Sequence, residues 1–175
     1  YTTLFRSKES QANKALVDAV SDMEGVAVFN LYELSQEIAF NIDEWSKIIS
    51  DASAVIYQFP FYWMSAPSLL KKWQDEVFTF LSKTPAVAGK PLTVVTTTGS
   101  EYEAYRSGGR NRFTTDELLR PYQVSAIHSG MSWQTPIVVY GMGTADAGKN
   151  IAEGANLYKQ RVEMLIGNSN AGNNW

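Results

Sequence analysis

Ala52-Ser53-Ala54-Val55-Ile56-Tyr57-Gln58-Phe59-Pro60-Phe61-Tyr62-Trp63-Met64-Ser65-Ala66-Pro67 decides how this chain folds. Residues 54–57 are apolar without alternation, the pattern of a strand in a parallel sheet covered on both faces. A helix-like run follows over residues 68–80. Between them, residues 59–67 form a loop dense in aromatics and prolines at the carboxyl edge of the strand. In open α/β sheets that edge is where ligands bind. The prolines keep the backbone extended and remove donors, so the remaining amides are available to a ligand's polar rim. The same composition also suits a loop packed on the core, and the segment alone does not separate the two readings.

Outward from this stretch, strand and helix patterns alternate. Ser10 can cap a helix from Gln11 to about Met23, with Ala12, Ala15, Leu16 and Ala19 at helical spacing. Gly25 stops it, and residues 26–29 read as a short strand. Asp43 is placed to cap a helix over residues 44–50. Pro67 suits the first turn of the helix carrying Leu69, Leu70, Trp73, Val77 and Phe78. Residues 92–97 are β-branched and read as a strand. Thr114 or Thr115 caps the next helix, residues 137–140 form the last strand, and residues 151–166 close as a helix. The spacing predicts one domain over residues 1–166 and a loose Asn- and Gly-rich tail over 167–175. The first strand reads as cut short, since a central strand would need residues before Tyr1. The fold class is therefore α/β, a flavodoxin-like doubly wound five-stranded parallel sheet in the order 2-1-3-4-5.

Composition narrows the chemistry. The chain has 175 residues, of which 45% are hydrophobic and 19% charged, values ordinary for a globular domain. A net charge of −3 points to no nucleic-acid surface and no polybasic membrane patch. The absence of cysteine excludes disulfides, thiolate metal sites and cysteine catalysis, and fits a reducing compartment. No run reaches the roughly 20 apolar residues of a membrane span, and no signal peptide is expected. A single histidine, His128, leaves no multi-histidine metal site. Its place at an expected helix end reads as a favourable dipole partner.

In the order 2-1-3-4-5 the loops after strands one, three and four converge. The first loop, residues 6–13, puts hydroxyls and small residues before a helix, which suits an anion at the helix amino terminus or a plain N-cap by Ser10. It is neither a P-loop nor a GxGxxG dinucleotide fingerprint. The third loop, residues 97–113, is longer than the roughly 12 residues beyond which loops in compact domains are usually functional or disordered. Its Gly99 can bring backbone amides close to a ring edge, and Tyr105 can place a phenol near a reacting ring. Arg106, Arg110 and Arg112 make either an anion patch or a solvated loop face. Together the three loops suit a flat, partly apolar ligand such as a flavin.

Several blocks now coincide: Phe59-Pro60-Phe61-Tyr62-Trp63, Pro67-Ser68-Leu69-Leu70-Lys71-Lys72-Trp73, Thr97-Thr98-Gly99, Glu103-Ala104-Tyr105, Gly108-Gly109-Arg110-Asn111 and Leu118-Leu119-Arg120-Pro121. With Ser10-Gln11-Ala12-Asn13 and Gly130-Met131-Ser132-Trp133, they run through nearly the whole chain. The sequence resembles flavodoxin-like NAD(P)H:quinone oxidoreductases. The similarity is to their small bacterial members, which include ancillary subunits of glutathione-gated potassium efflux systems.

The resemblance implies FMN, or FAD as the alternative, with NADH or NADPH as co-substrate and a quinone-like acceptor. It puts a cofactor phosphate over Ser10, Gln11, Ala12 and Asn13. The ring would lie against Phe61, Tyr62, Trp63 and Met64, and its far edge against Thr98, Gly99, Ser100 and Glu101. Tyr105 matches a tyrosine that manages charge on the reduced flavin, and Asn111 stands where some members carry its histidine partner. The implied protein is a cytoplasmic homodimer. A second reading is a regulatory subunit of a potassium efflux transporter, peripheral at the inner face of the membrane. A third is a one-electron flavodoxin-type carrier, which is commonly very acidic.

Overall fold

The computed structural model describes residues 2–4, 10–34 and 39–170. Six short strands make one sheet, all paired in parallel: β1 Thr2–Leu4, β2 Val28–Asn30, β3 Val55–Pro60, β4 Pro91–Thr97, β5 Ser132–Trp133 and β6 Ile137–Val139. β1 lies between β2 and β3, and β3 pairs with β4 along its whole length, from Val55↔Leu92 to Pro60↔Thr97. The outer edge of β4 is taken in two places. β5 pairs with Pro91–Leu92, and β6 pairs with Val95–Thr97. The strand expected over residues 137–140 is β6, and the unexpected segment β5 makes six strands in place of the five predicted. Pro136 lies between β5 and β6 and has no N–H to give a ladder.

Every residue of β3 and β4 is buried, because helices cover both faces. Alternation along each strand divides the core in two. Val55, Tyr57 and Phe59 of β3 join Leu92 and Val94 of β4 beneath Trp45, Trp73 and Tyr122. Those three side chains come from helices α3 (Ile42–Asp51), α4 (Ser68–Trp73) and α7 (Arg120–His128). On the other face Ile56, Val95 and Val139 pack against Leu16 of α1 (Gln11–Asp18) and Tyr158, Val162 and Leu165 of α8 (Ala147–Asn170). α8 approaches β6 so closely that a Cβ built on Gly154 would lie 2.4 Å from Val139 Cγ2. The single-turn helices α2 (Leu31–Leu34), α5 (Thr79–Leu81) and α6 (Thr115–Leu118) complete the order, and a π-turn over Gln74–Phe78 joins α4 to α5.

Local signals decide where these elements begin. The Ser10 hydroxyl accepts from the Asn13 amide and caps α1, and Thr114 caps α6 in a reciprocal capping box with Glu117. α1 is shorter than its periodicity predicts. It ends at Asp18 and gives way to turns through Gly25, whose φ is +82°. Asn41, not Asp43, caps α3, its side chain accepting from the amides of Asp43 and Glu44. α8 begins at Ala147 rather than Ile151 and continues to Asn170, four residues past the boundary expected at residue 166. The remainder of the predicted tail, 171–175, lies outside the described residues, as do residues 5–9 of the first loop. Among the described residues no helix is long and apolar enough to cross a membrane.

Candidate active site

The carboxyl ends of the central strands open into a cleft of about 530 Å³. Ser10, Gln11 and Ala12 form one part of its wall, Pro60, Phe61 and Tyr62 a second, and Thr97, Thr98 and Gly99 a third. The described residues of the three loops predicted to converge therefore meet at one opening. Hydrogen bonds lock them together. The Phe61 amide donates to the Thr97 carbonyl at 2.9 Å, and Asn13 Nδ2 donates to Thr97 Oγ1 at 2.8 Å and to Ser10 Oγ at 3.0 Å. Asn13 is buried and acts as the brace between α1 and β4, and the cleft surface passes to its neighbours.

A fourth segment, unanticipated from sequence, completes the wall. Met142, Ala147 and Ile151 line the cleft from the turn after β6 and the start of α8. The chain after β4 is zipped to that turn by four bonds. The Thr98 amide donates to the Val139 carbonyl at 2.9 Å, and the carbonyls of Thr98, Gly99 and Ser100 accept from Met142, Gly143 and Gly141 at 2.9, 2.8 and 2.8 Å. The carbonyls of residues 98–100 are thus spent inside the protein. Among the described residues the amides of Gly99 and Ser100 donate to no group. A Cβ built on the exposed Gly99 meets nothing within 4 Å, so a side chain here would project into open space beside the cleft.

The aromatic loop divides its residues. Phe61 is half-buried in the cleft wall, whereas Trp63 and Met64 stand in solvent, 95% and 42% exposed. The cause is a tight two-residue turn. Tyr62 and Ser65 exchange backbone hydrogen bonds at 2.7 and 2.9 Å, and Trp63 and Met64 between them have φ of 44° and 62°. Both central residues at positive φ is the signature of a type I′ hairpin turn, which favours Asn-Gly rather than Trp-Met. The base of this loop is fixed by Tyr122, whose hydroxyl meets Ser65 Oγ at 3.2 Å and accepts from the Ala66 amide at 3.1 Å.

The long loop after β4 carries the remaining predicted residues. Tyr105 closes a 3-10 turn over Tyr102–Tyr105 and is buried, its ring edge-on to Phe61 and tilted against Tyr140 at 5.9 Å. Burial raises its phenol above the ordinary tyrosine value, while hydrogen bonds with Ser100 and Thr98 and the nearby Arg110 pull it back. The group stays protonated at neutral pH and remains a donor. Asn111 gives its amide to the Ala104 carbonyl at 3.0 Å, and its side-chain Nδ2 is buried with no partner among the described residues. It lies behind the Tyr105 turn, not in the cleft wall. Ser100 Oγ accepts from Arg110, and Glu101 is exposed beside it, so neither lines the cleft. The three arginines do not form one patch: Arg110 is held on Ser100, Arg106 lies over the Tyr102 ring at 5.4 Å, and Arg112 is exposed at φ 63°.

The residues present fit a flavin. The cleft volume falls in the range of about 300–1,000 Å³ usual for small-molecule sites. It combines an apolar flank at Phe61, Met142 and Ile151 with a capped helix amino terminus at Ser10 and two unspent amides beside an open glycine.

Residues 3–162 match Flavodoxin_2, described as a flavodoxin-like fold. General stress protein 14 of Bacillus subtilis is 35% identical over 159 residues, covering 89% of this chain and 90% of the relative. The glutathione-regulated potassium-efflux system ancillary protein KefG of Serratia proteamaculans is 36% identical over 138 residues, covering 77% of this chain and 75% of the relative. The crystal structure of general stress protein 14 from Treponema denticola in complex with FMN superposes with a TM-score of 0.83 at 25% identity, over 94% of this chain and 96% of that one. The chain belongs to the Flavodoxin_2 family, within the flavodoxin-like group of NAD(P)H:quinone oxidoreductases that its sequence resembles.

Proposed function

We propose that this protein is an FMN-dependent NAD(P)H:quinone oxidoreductase that works by two-electron transfer. The observation that carries the reading is the pairing of Phe61 with the bare backbone at Gly99 in one cleft, with the Ser10-capped end of α1 beside them. FMN, when bound, supplies the hydride chemistry. Phe61, Met142 and Ile151 give an apolar seat for a ring. The amides of Gly99 and Ser100 offer donors to its polar edge, and preorganised donors of this kind stabilise negative charge as it develops. Ser10 and the amino end of α1 favour a phosphate. Tyr105 packs edge-on against Phe61 without itself lining the cleft, and its phenol is the donor we assign to an acceptor oxygen or a reduced ring beyond that wall.

FMN is preferred over FAD because the described residues show no extension from the cleft that would hold an adenosine. Nicotinamide and quinone use the same face in turn, so the kinetics are ping-pong. Initial rates of NADH and NADPH oxidation at several quinone concentrations test this. Parallel double-reciprocal lines support the reading, and the absence of quinone-dependent oxidation with either nucleotide refutes it.

The assembly we propose is a homodimer in which the partner covers the cleft. Trp63 and Met64 project from the cleft's own loop, and Val124 and Ile127 are exposed on α7, the helix that Tyr122 ties to that loop. A second reading is favoured by the likeness to KefG: a flavin-binding ancillary subunit of a membrane transporter. Co-purification with the cytosolic domain of a potassium efflux transporter, compared with and without FMN, tests it. The net charge of −3 gives little support to a one-electron carrier.

A further inference from the structure

A second cavity, about 810 Å³, runs beside the free edge of β6 between α6 and α8. Its α8 wall is a stripe at helical spacing, Leu157, Arg161 and Met164. Leu157 and Met164 are 55% and 42% exposed, and Arg161 between them is half-buried. Its Nη1 donates to the Thr135 carbonyl at 2.7 Å, which fixes the guanidinium against the sheet edge. Loss of solvent lowers its affinity for its proton, and no carboxylate stands within ion-pair distance among the described residues. A partly desolvated guanidinium without a counter-charge is costly, and its remaining donors form a planar fork suited to a carboxylate.

The far wall adds Tyr102, with Arg106 over its ring, and Tyr140, whose hydroxyl meets Thr115 Oγ1 at 2.6 Å. Asp116 also lines the groove, so two guanidiniums stand against one carboxylate and the local balance is positive. We propose that this groove binds an amphipathic carboxylate, its anionic end on Arg161 and its apolar or aromatic body between Leu157, Met164 and Tyr102. Tyr105 lines this groove and packs edge-on against Phe61 of the cleft wall, so the two sites are neighbours separated by one ring contact. The proposal does not depend on flavin binding.

The test is a calorimetric titration with 2-naphthoate and with its neutral isostere 2-naphthalenemethanol. The expected result is a Kd for 2-naphthoate below about 1 mM and binding of the alcohol weaker by about tenfold or more. Arg161→Gln weakens naphthoate by about tenfold. Leu157→Asp, at an exposed position that does not threaten the fold, weakens it as well. FMN at about 100 µM leaves naphthoate affinity unchanged. Equal affinity for acid and alcohol, an unchanged affinity in Arg161→Gln, no heat up to about 10 mM, or displacement by FMN each overturns the proposal.

Discussion

Tyr105 stands edge-on to Phe61, ring centroids 6.1 Å apart and planes at 71°. This contact joins the long loop after β4 to the aromatic loop after β3. It packs a protonated tyrosine behind the Phe61 wall of the cleft, on the side of the neighbouring groove. Tyr105→Phe keeps the edge-to-face contact and deletes the donor. Reduction of bound FMN by NAD(P)H is expected to slow by roughly fivefold, the equivalent of about 1 kcal/mol for one ordinary hydrogen bond. FMN affinity is expected to stay the same. Stopped-flow reduction of variant and parent measures both. An unchanged rate removes Tyr105 from the mechanism, and lost FMN moves it into the cofactor site.

Met64 holds a left-handed backbone, φ 62°, at the tip of the aromatic loop. That conformation costs an L-residue roughly 1–2 kcal/mol, part of which glycine returns as extra entropy in the unfolded chain. Met64→Gly is expected to raise unfolding stability by about 0.5–1 kcal/mol, read as a higher urea midpoint at fixed protein concentration. A lower midpoint would show that the exposed thioether contributes more by contact than the turn loses by strain.

Much of the fold is legible in the amino-acid sequence. Ser10 and Thr114 announce their helices because a hydroxyl before an apolar periodic run has few other uses. The apolar run around Ile56 and the β-branched run around Val94 read as strands, and both are buried on both faces. Of the predicted ligand residues, Ser10, Gln11, Ala12, Phe61, Tyr62, Thr98 and Gly99 do line one cleft. Trp63 and Met64 point elsewhere because the Tyr62–Ser65 turn reverses the chain after two residues, and turn type is not read from a Trp-Met pair. The Ser100 hydroxyl accepts from Arg110 ten residues on and Glu101 stands in solvent beside it, a long-range placement with no local signature. Met142 and Ile151 give no sequence signal for the same reason. Gly109 carries a readable one: a Cβ there would lie 2.2 Å from the Glu103 carbonyl, so only glycine lets the loop close on itself beneath Tyr105.

Tyr57 is fully buried, and its hydroxyl has no partner among the described residues. Burial raises its phenol above the ordinary value, with Tyr122 adding to the effect. A folded pKa above the unfolded one contributes stability that is complete below about pH 10 and is lost as pH rises beyond it, because only the unfolded chain can ionise there. Urea unfolding at a series of alkaline pH values is expected to show stability falling above about pH 10, less steeply in Tyr57→Phe. At pH 8 the variant is expected to gain up to about 1 kcal/mol by losing an unpaired buried group. An unstabilised variant with the parent's alkaline slope contradicts this.

Trp63 is almost wholly exposed on a loop that Tyr122 anchors at its base. Light scattering at tens of micromolar is expected to give the mass of a dimer, and Trp63→Arg is expected to shift it toward the monomer. A monomeric parent contradicts the proposed assembly. A dimeric variant assigns the interface to another surface.

The central claim is that the cleft walled by Ser10, Phe61 and Gly99 holds FMN, and a fluorescence titration tests it most directly. FMN emission is followed as protein is added, with Gly99→Trp measured beside the parent. The account predicts quenching with a Kd at or below about 1 µM for the parent, and affinity lower by about tenfold or more when the tryptophan fills the space beside the ring's seat. No quenching at micromolar protein, or equal affinity in both proteins, would contradict it.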